Sequence, residues 1–320
     1  MMLRSKSEST LRCSLVIPTK NGGPLFKAAI GALENQTYWV QTEFIVIDSG
    51  SSDNTVEIAR NAGAKIVEIP PESFNHGATR DLGISIASCE LVVLMVQDAI
   101  AQGTNLLETI LRQFDDPEVA GVYARQVPQP DADLITQRNL NNWLTGRLER
   151  EVRKMESLEW YEALSPIEKY FFCNFDNVCS AIRKSVWQEQ KFGDVAFGED
   201  IDWAERVLKK GWRIVFEPEA AVVHSHNRPM LYEYKRTYVC HRKLYQQFGL
   251  RLVPTLRGIY RSWLFSTLKD MKYIGAQAAP IACKATLIAK IPFLNFLSAI
   301  AQYRAARDEA TGNQCTVTGV

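Results

Sequence analysis

Five side chains have the types and positions to do chemistry together: Asp48, Asp98, Glu199, Asp200 and His224. Asp48 ends the apolar run Phe44-Ile45-Val46-Ile47, and Asp98 ends the run Val92-Val93-Leu94-Met95-Val96-Gln97. Glu199-Asp200 opens a helix-forming stretch, and His224 closes a late apolar run. Two carboxylates and an imidazole suit a hard divalent cation together with a general base. In open parallel sheets ligands bind at the carboxyl ends of strands, where Asp48 is expected, and a carboxylate there can accept a hydrogen bond from the N3–H of a pyrimidine. Each residue also has an ordinary reading by itself. Asp and Ser are turn and cap residues. Acidic residues are favoured at a helix N-terminus by its dipole, and a strand-end histidine can simply be hydrogen-bonded. The joint arrangement carries the argument.

These residues need elements to position them. Residues 44–48 predict a buried strand, Ser49-Gly50-Ser51-Ser52-Asp53 a tight turn, and Asn54 the start of a helix. The turn lacks a Gly-rich phosphate fingerprint, which argues against a dinucleotide-type backbone cradle. Strands are expected at 14–18, 44–48, 65–69, 91–96 and 120–123, alternating with helices at 25–36, 54–62, 79–87 and 106–114. Alternation of this kind predicts an α/β fold with a mostly parallel sheet. Residues 128–172 are dense in polar residues and predict a helical insertion, either a lid or acceptor-side segment or a solvated excursion. Order is expected to return at 178–183 and to continue through Trp187, with a helix at 204–210. Two short strands, 214–216 and 220–223, are expected around Glu217-Pro218. Long helices follow at 232–248, 256–272 and 281–307, and the last few residues are expected to fray.

The chain of 320 residues, 46% of them hydrophobic, allows one large domain or two smaller ones. Its seven cysteines form no CxxC pair, which argues against a zinc knuckle or redox site and for a reducing, cytoplasmic compartment. Residues 1–12 form a polar, basic tail without the apolar core of a signal peptide. Residues 1–227 hold 23 Lys+Arg against 32 Asp+Glu, whereas residues 228–320 hold 14 against 4. An acidic body with a basic tail implies an anionic partner for the tail. The tail's Trp, Phe, Leu and Ile favour a membrane surface over nucleic acid. Lys284, Lys290 and Pro292 interrupt its most apolar part, so no clean membrane span is expected. Interface-lying helices and helices packed on the body both remain open.

The motifs in order resemble those of the family 2 glycosyltransferases, inverting enzymes of the GT-A fold. Leu15-Val16-Ile17-Pro18-Thr19-Lys20-Asn21 resembles the opening strand and nucleotide loop. Ile47-Asp48-Ser49-Gly50-Ser51-Ser52-Asp53-Asn54-Thr55 resembles the Asp-Asp-Gly-Ser-x-Asp-x-Thr segment, with Ser49 in place of the second Asp. Val96-Gln97-Asp98 stands where the family has its Asp-x-Asp metal motif, with Val96 in place of the first Asp. Glu199-Asp200 resembles the Glu-Asp pair, and His224 the histidine that can ligate the metal. Phe74-Asn75-His76-Gly77-Ala78-Thr79-Arg80-Asp81-Leu82-Gly83 and His224-Ser225-His226-Asn227 narrow the resemblance to bacterial rhamnosyltransferases.

The resemblance implies a GT-A domain over 13–227 and a basic helical C-terminal region over 228–320. It implies Asp200 as base with Glu199 beside it, and a nucleotide-sugar site of Pro18, Thr19, Lys20, Asp48, Arg80, Gln97 and Asp98. It implies a divalent cation, Mg²⁺ or Mn²⁺, on Asp98 and His224. Arg183, Asp202 and Trp203 are expected on the acceptor side. The donor implied is a nucleoside-diphosphate sugar, dTDP-L-rhamnose. The acceptor is a glycan or polyprenyl-diphosphate-linked saccharide at the cytoplasmic face of the membrane. A UDP-sugar-dependent transferase of the same fold, a nucleotidyltransferase and a non-catalytic sugar-binding relative are the competing readings.

Overall fold

The computed structural model describes residues 11–313. Most of the expected N-terminal tail and the end expected to fray, 314–320, lie outside the described residues.

The strands form where β-branched and apolar residues run together. They are β1 (Cys13–Thr19), β2 (Thr42–Asp48), β3 (Lys65–Glu68), β4 (Leu91–Met95), β5 (Ile100–Ala101), β6 (Val119–Val127), β7 (Glu151–Arg153), β8 (Cys179–Arg183) and β9 (Arg213–Val223). Between them run helices α1 (Gly23–Glu34), α2 (Thr55–Asn61), α3 (His76–Ile86), α4 (Leu106–Arg112), α5 (Leu134–Asn141), α6 (Leu158–Ala163), α7 (Pro166–Phe172), α8 (Lys184–Glu189) and α9 (Glu199–Lys209). The chain ends in α10 (Met230–Phe248), α11 (Leu256–Ala276) and α12 (Ile281–Ala310).

Among the described residues all nine strands join one sheet in the order β3-β2-β1-β4-β8-β6-β9-β5, with β7 also paired to β9. β1, β2, β3 and β4 run parallel, as the alternating pattern predicts. β8 lies antiparallel between β4 and β6, and β5 and β7 are antiparallel to β9. The sheet is therefore mixed to a degree that the apolar pattern did not reveal, because a buried strand reads the same in either direction. The two short strands expected around Glu217-Pro218 are one continuous strand, β9, whose pairing with β6 shifts register between Ala124 and Arg125. The 128–172 segment is not purely helical: β7 lies within it.

Two compact units divide the chain. The first runs from the start of the described chain to Pro130 and includes Leu140–Ala163 and Phe172–Ser225. Its sheet faces follow the period of two along each strand. Leu15, Ile17, Val46 and Val93 join Phe26, Ile30, Leu33, Leu107 and Ile110 in one buried cluster. Val16 points to the opposite face, where Gly83 of α3 lets the helix approach so closely that a Cβ there would lie 2.3 Å from Val16 Cγ1. On α9, Trp203, Ala204, Val207 and Leu208 are buried, and Gly121 of β6 makes room for the Trp203 ring.

The second unit comprises Asp131–Asn139, Leu164–Phe171 and the chain from His226 on. Its core contains Tyr238 with Ala301 and Ala305, and Ile274 with Leu287 and Ile291. Ion pairs Arg138–Asp270 at 2.7 Å and Arg242–Glu309 at 2.7 Å tie its helices. Pro292 does not end α12, and the Pro292 carbonyl accepts from Trp263 Nε1 at 2.8 Å. Contrary to the expectation of no clean span, α12 is long and apolar enough to cross a membrane by length and composition.

The Gly83 approach yields a stability prediction. Gly83→Ala should gain helix propensity of about 1 kcal/mol yet lower stability overall, because overpacking of about 1–3 kcal/mol outweighs it. Urea unfolding measures this, and Val16→Ala in the same chain should recover part of the loss.

Candidate active site

The turn after β2 is held by its own acid. Asp48 is 1% exposed. Its Oδ1 accepts from the amides of Gly50 (3.0 Å) and Ser51 (2.8 Å), and its Oδ2 from the hydroxyls of Thr19 (2.9 Å) and Ser51 (2.5 Å). Four donors fill the acceptor positions of a carboxylate. In this structure the Asp48 charge fixes the turn and ties it to the end of β1. Asn21, in the left-handed region at φ 48°, continues the tie by accepting from Ser52 N at 2.8 Å.

Beside this turn opens a cavity of about 220 Å³, lined by Pro18, Thr19, Lys20, Ser49, Phe74, His76, Arg80, Val96, Gln97 and Asp98. Six of the seven residues expected around a nucleotide sugar line it, and Asp48 lies buried behind. Gln97 clamps the loop after β1, with Lys20 N donating to its Oε1 (2.9 Å) and its Nε2 donating to Lys20 O (3.1 Å). Phe74 and His76 meet edge to face with ring centres 5.0 Å apart. Burial, and next the Arg80 guanidinium, hold the His76 pKa below its ordinary value, which keeps the ring neutral.

Arg80 leads from the cavity to the acids. It pairs with Glu199 at 2.9 Å, with both side chains about 5% exposed. Asn177 Nδ2 donates to the same Glu199 oxygen at 3.2 Å. Asp200 follows at the second position of α9, entered through Gly198 in the left-handed region at φ 72°. Burial pushes the Asp200 pKa well above the usual carboxylate range, and the negative charges of Glu199 and Asp176 push it further. The backbone amide of Ile201 and the Arg80 charge oppose the shift without cancelling it.

Asp98 and His224 come together although 126 positions separate them in the chain: Asp98 Oδ1 lies 3.7 Å from His224 Nε2. The loop after β4 carries Asp98, and β9 ends just before His224. A small cation with bonds of about 2.1 Å can span that gap while keeping waters and substrate phosphates as its other ligands. Val96 supplies no third ligand of its own. The pair therefore fits a magnesium-like ion bound jointly with a diphosphate.

Of the three residues expected on the acceptor side, Trp203 is corrected, and Arg183 and Asp202 have partners within the protein. Trp203 is fully buried between Phe175 and Phe192. The Arg183 guanidinium donates to the carbonyls of Phe114, Asp116 and Val119, joining β8 to the start of β6. Asp202 pairs with Arg206 one helical turn on, at 3.1 Å. Apolar and charged types alone do not say which face of a helix or strand meets the core.

The site also contains residues without an assigned role in the sequence reading. Phe74 and His76 lie in a stretch singled out there only for its family pattern. Asn177 and Asp176 precede β8, and Gln126 lies within β6 beyond the part legible as apolar. A polar pair before an apolar strand was the available signal for Asp176 and Asn177. Gln126 had none.

The family model described as Glycosyl transferase family 2 matches residues 14–188. O-antigen chain rhamnosyltransferase WbaN of Salmonella anatum is 33% identical over 248 residues, covering 74% of this chain and 75% of that protein. O-antigen chain rhamnosyltransferase RfbN of Salmonella typhimurium is 30% identical over 233 residues, covering 71% of each. Among solved structures, the mannosyltransferase PcManGT from Pyrobaculum calidifontis, in complex with GDP-Man and Mn²⁺, aligns with a TM-score of 0.60 at 17% identity, covering 96% of this chain and 89% of that one. S. aureus TarS 1–349 in complex with UDP-GlcNAc aligns with a TM-score of 0.52 at 14% identity, covering 94% and 92%. The chain therefore belongs to glycosyl transferase family 2 and is a glycosyltransferase of GT-A fold.

Proposed function

We propose that this glycosyltransferase moves L-rhamnose from dTDP-L-rhamnose, with inversion at the anomeric carbon, onto a glycan or polyprenyl-diphosphate-linked acceptor during synthesis of bacterial surface polysaccharide. The observation that carries the reaction type is the cavity whose wall residue Arg80 also holds Glu199, the neighbour of a base-like Asp200. The sugar rests on the similarity to the two Salmonella rhamnosyltransferases.

Asp200 takes the proton of the acceptor hydroxyl as that oxygen attacks the anomeric carbon, and the nucleoside diphosphate leaves with the bonding electron pair. A raised pKa strengthens a carboxylate as a base at neutral pH. Glu199, fixed by Arg80 and Asn177, keeps negative charge against Asp200 and sustains that shift. Pro18, Thr19, Lys20 and Gln97 border the nucleoside, and Arg80 and Lys20 offset charge on the diphosphate. Asp98 and His224 would hold Mg²⁺ or Mn²⁺, which supplies further charge compensation to the leaving group.

The enzyme's second unit supports a place at the cytoplasmic face of the membrane. The exposed face of α11 carries Leu256, Tyr260, Phe265 and Leu268 beside Arg257, Arg261, Lys269 and Lys272. Phe265 is 70% exposed and Leu256 69%. The acidic residue of that helix, Asp270, is buried against Arg138. Apolar side chains interleaved with cations suit an anionic lipid surface.

Incubation with dTDP-L-rhamnose and a lipid-linked acceptor should release nucleoside diphosphate; release of pyrophosphate would instead indicate nucleotidyl transfer, and turnover with UDP-sugars alone would change the donor. Asp200→Asn should lower turnover by about 10²–10⁴. It should also raise the melting temperature at neutral pH. A carboxyl whose pKa is raised by folding costs stability as pH climbs past its unfolded value, and the amide removes that cost. Wild-type stability should accordingly decline as pH rises through the raised Asp200 pKa, and the variant should lose that component. Chelation should weaken nucleoside diphosphate binding in calorimetry, and Asp98→Ala should abolish the response to chelator. Flotation with vesicles should show binding to anionic but not neutral lipid. That binding should weaken with salt and disappear in Arg257→Glu/Arg261→Glu.

A further inference from the structure

The imidazole of His224 is steered by two polar residues outside the cavity lining. The parallel pairing of β6 with β9 sets Gln126 opposite Val222, two residues before His224. Gln126 is 7% exposed. Its Oε1 lies 3.0 Å from His224 Nδ1, and its Nε2 donates to Asp176 Oδ2 at 2.6 Å. Asp176 is pinned in turn, because its Oδ1 accepts from the backbone amide of Val178 at 2.8 Å.

Each link allows one polarity. A carboxylate accepts only, so Asp176 Oδ2 selects the NH₂ end of Gln126. The carbonyl end of that amide then faces His224 and accepts only, so the proton of the neutral ring sits on Nδ1. In that tautomer Nε2 carries the lone pair, and Nε2 lies 3.7 Å from Asp98 Oδ1. We propose that Gln126 and Asp176 are positioning residues that hold His224 as the Nδ1–H tautomer and thereby present Nε2 as a ligand to the cation shared with Asp98. This rests on the proposed cation site and goes beyond it by naming what orients the ligand. Groups that orient a metal-bound histidine through its other nitrogen typically change metal affinity by about 10- to 100-fold.

The chain of polarities can be reversed without changing shape. In Asp176→Asn, the Val178 amide keeps the oxygen of Asn at the Oδ1 position, so the new NH₂ faces Gln126. The Gln126 amide must then turn over, its NH₂ faces Nδ1, and the His224 proton moves to Nε2 toward Asp98. Adding Gln126→Glu restores an acceptor toward both neighbours and returns the proton to Nδ1.

The test uses full-length wild type, Asp176→Asn and the Asp176→Asn/Gln126→Glu double variant. Selective ¹⁵N labelling of the four histidines, with His224→Asn to assign the signal, reports the tautomer without metal or substrate. Wild type should show Nδ1–H, the single variant Nε2–H, and the double variant Nδ1–H again. Mn²⁺ binding, read by electron paramagnetic resonance with Mn²⁺ as the probe, should weaken by about 10- to 100-fold in the single variant and recover in the double. A cooperative melting transition in every variant, with Mn²⁺ binding compared on folded protein, separates this from a loss of packing. A wild type in the Nε2–H form, or a single variant that keeps Nδ1–H, overturns the proposal. Failure of the double variant to regain Mn²⁺ affinity also overturns it. If the tautomers follow the prediction while wild type binds no Mn²⁺, the cation reading alone is overturned.

Discussion

The site depends on one buried charge interaction, the Arg80–Glu199 pair. Two oppositely charged groups about 5% exposed are tolerable only because each has a partner at hydrogen-bonding distance. The pair joins α3 to α9, and those two helices bring the cavity wall and Asp200 together. Removing Arg80 would leave Glu199 charged, buried and next to Asp200, a cost of about 3–5 kcal/mol for broken buried pairs in general. Burial raises the Asp200 pKa, and the same negative charge raises it further. Packing and electrostatics are therefore coupled here: the charge that must be paired for folding also raises the Asp200 pKa.

Around that pair the protein uses its polar groups in two ways. Some are spent on the frame. Asp48 receives four donors within its own turn and from Thr19, and Asp81 accepts from Trp187 Nε1 and from the amides of Phe192 and Gly193. Arg183 is consumed by three carbonyls. Others keep an edge toward the cavity, as Lys20, His76, Gln97 and Asp98 do. Residue type does not distinguish the groups, since an Asp ends a strand in both cases. Geometry does: Asp48 is 1% exposed, whereas the Asp98 side chain is 20% exposed and faces His224.

The second unit repeats the theme with apolar groups. Its helices bury Ile274, Leu287 and Ile291, yet leave Phe265, Phe293 and Ile281 outside. A soluble helix normally turns its large apolar residues inward. Here the outward face of α11 carries both apolar and basic side chains, and the acid of that helix is the group withdrawn into an ion pair. The charge asymmetry visible along the chain thus becomes a surface property of one face.

The amino-acid sequence by itself determined the alternating elements, the strand-end positions of Asp48, Asp98 and His224, and the helix-entry position of Glu199-Asp200. Periodicity and abrupt polarity changes are local properties, and these features are local. Motif order sufficed for the family and hence for the GT-A fold. Tertiary structure decided what depends on distant partners. It set β8 antiparallel in the middle of the sheet, since strand direction leaves no mark on a fully buried apolar run. It extended β6 through Arg125 and Gln126, polar residues that no apolar pattern would include. It turned Asp48 inward, Trp203 into the core and Arg183 onto backbone carbonyls, because a side chain's role follows from which donors, acceptors and rings the fold brings within reach. It also set Gln126 between His224 and Asp176, residues separated by 98 and 50 positions from it in the chain. A hydrogen bond acts over about 3 Å, so only the folded chain could define which atoms it joins.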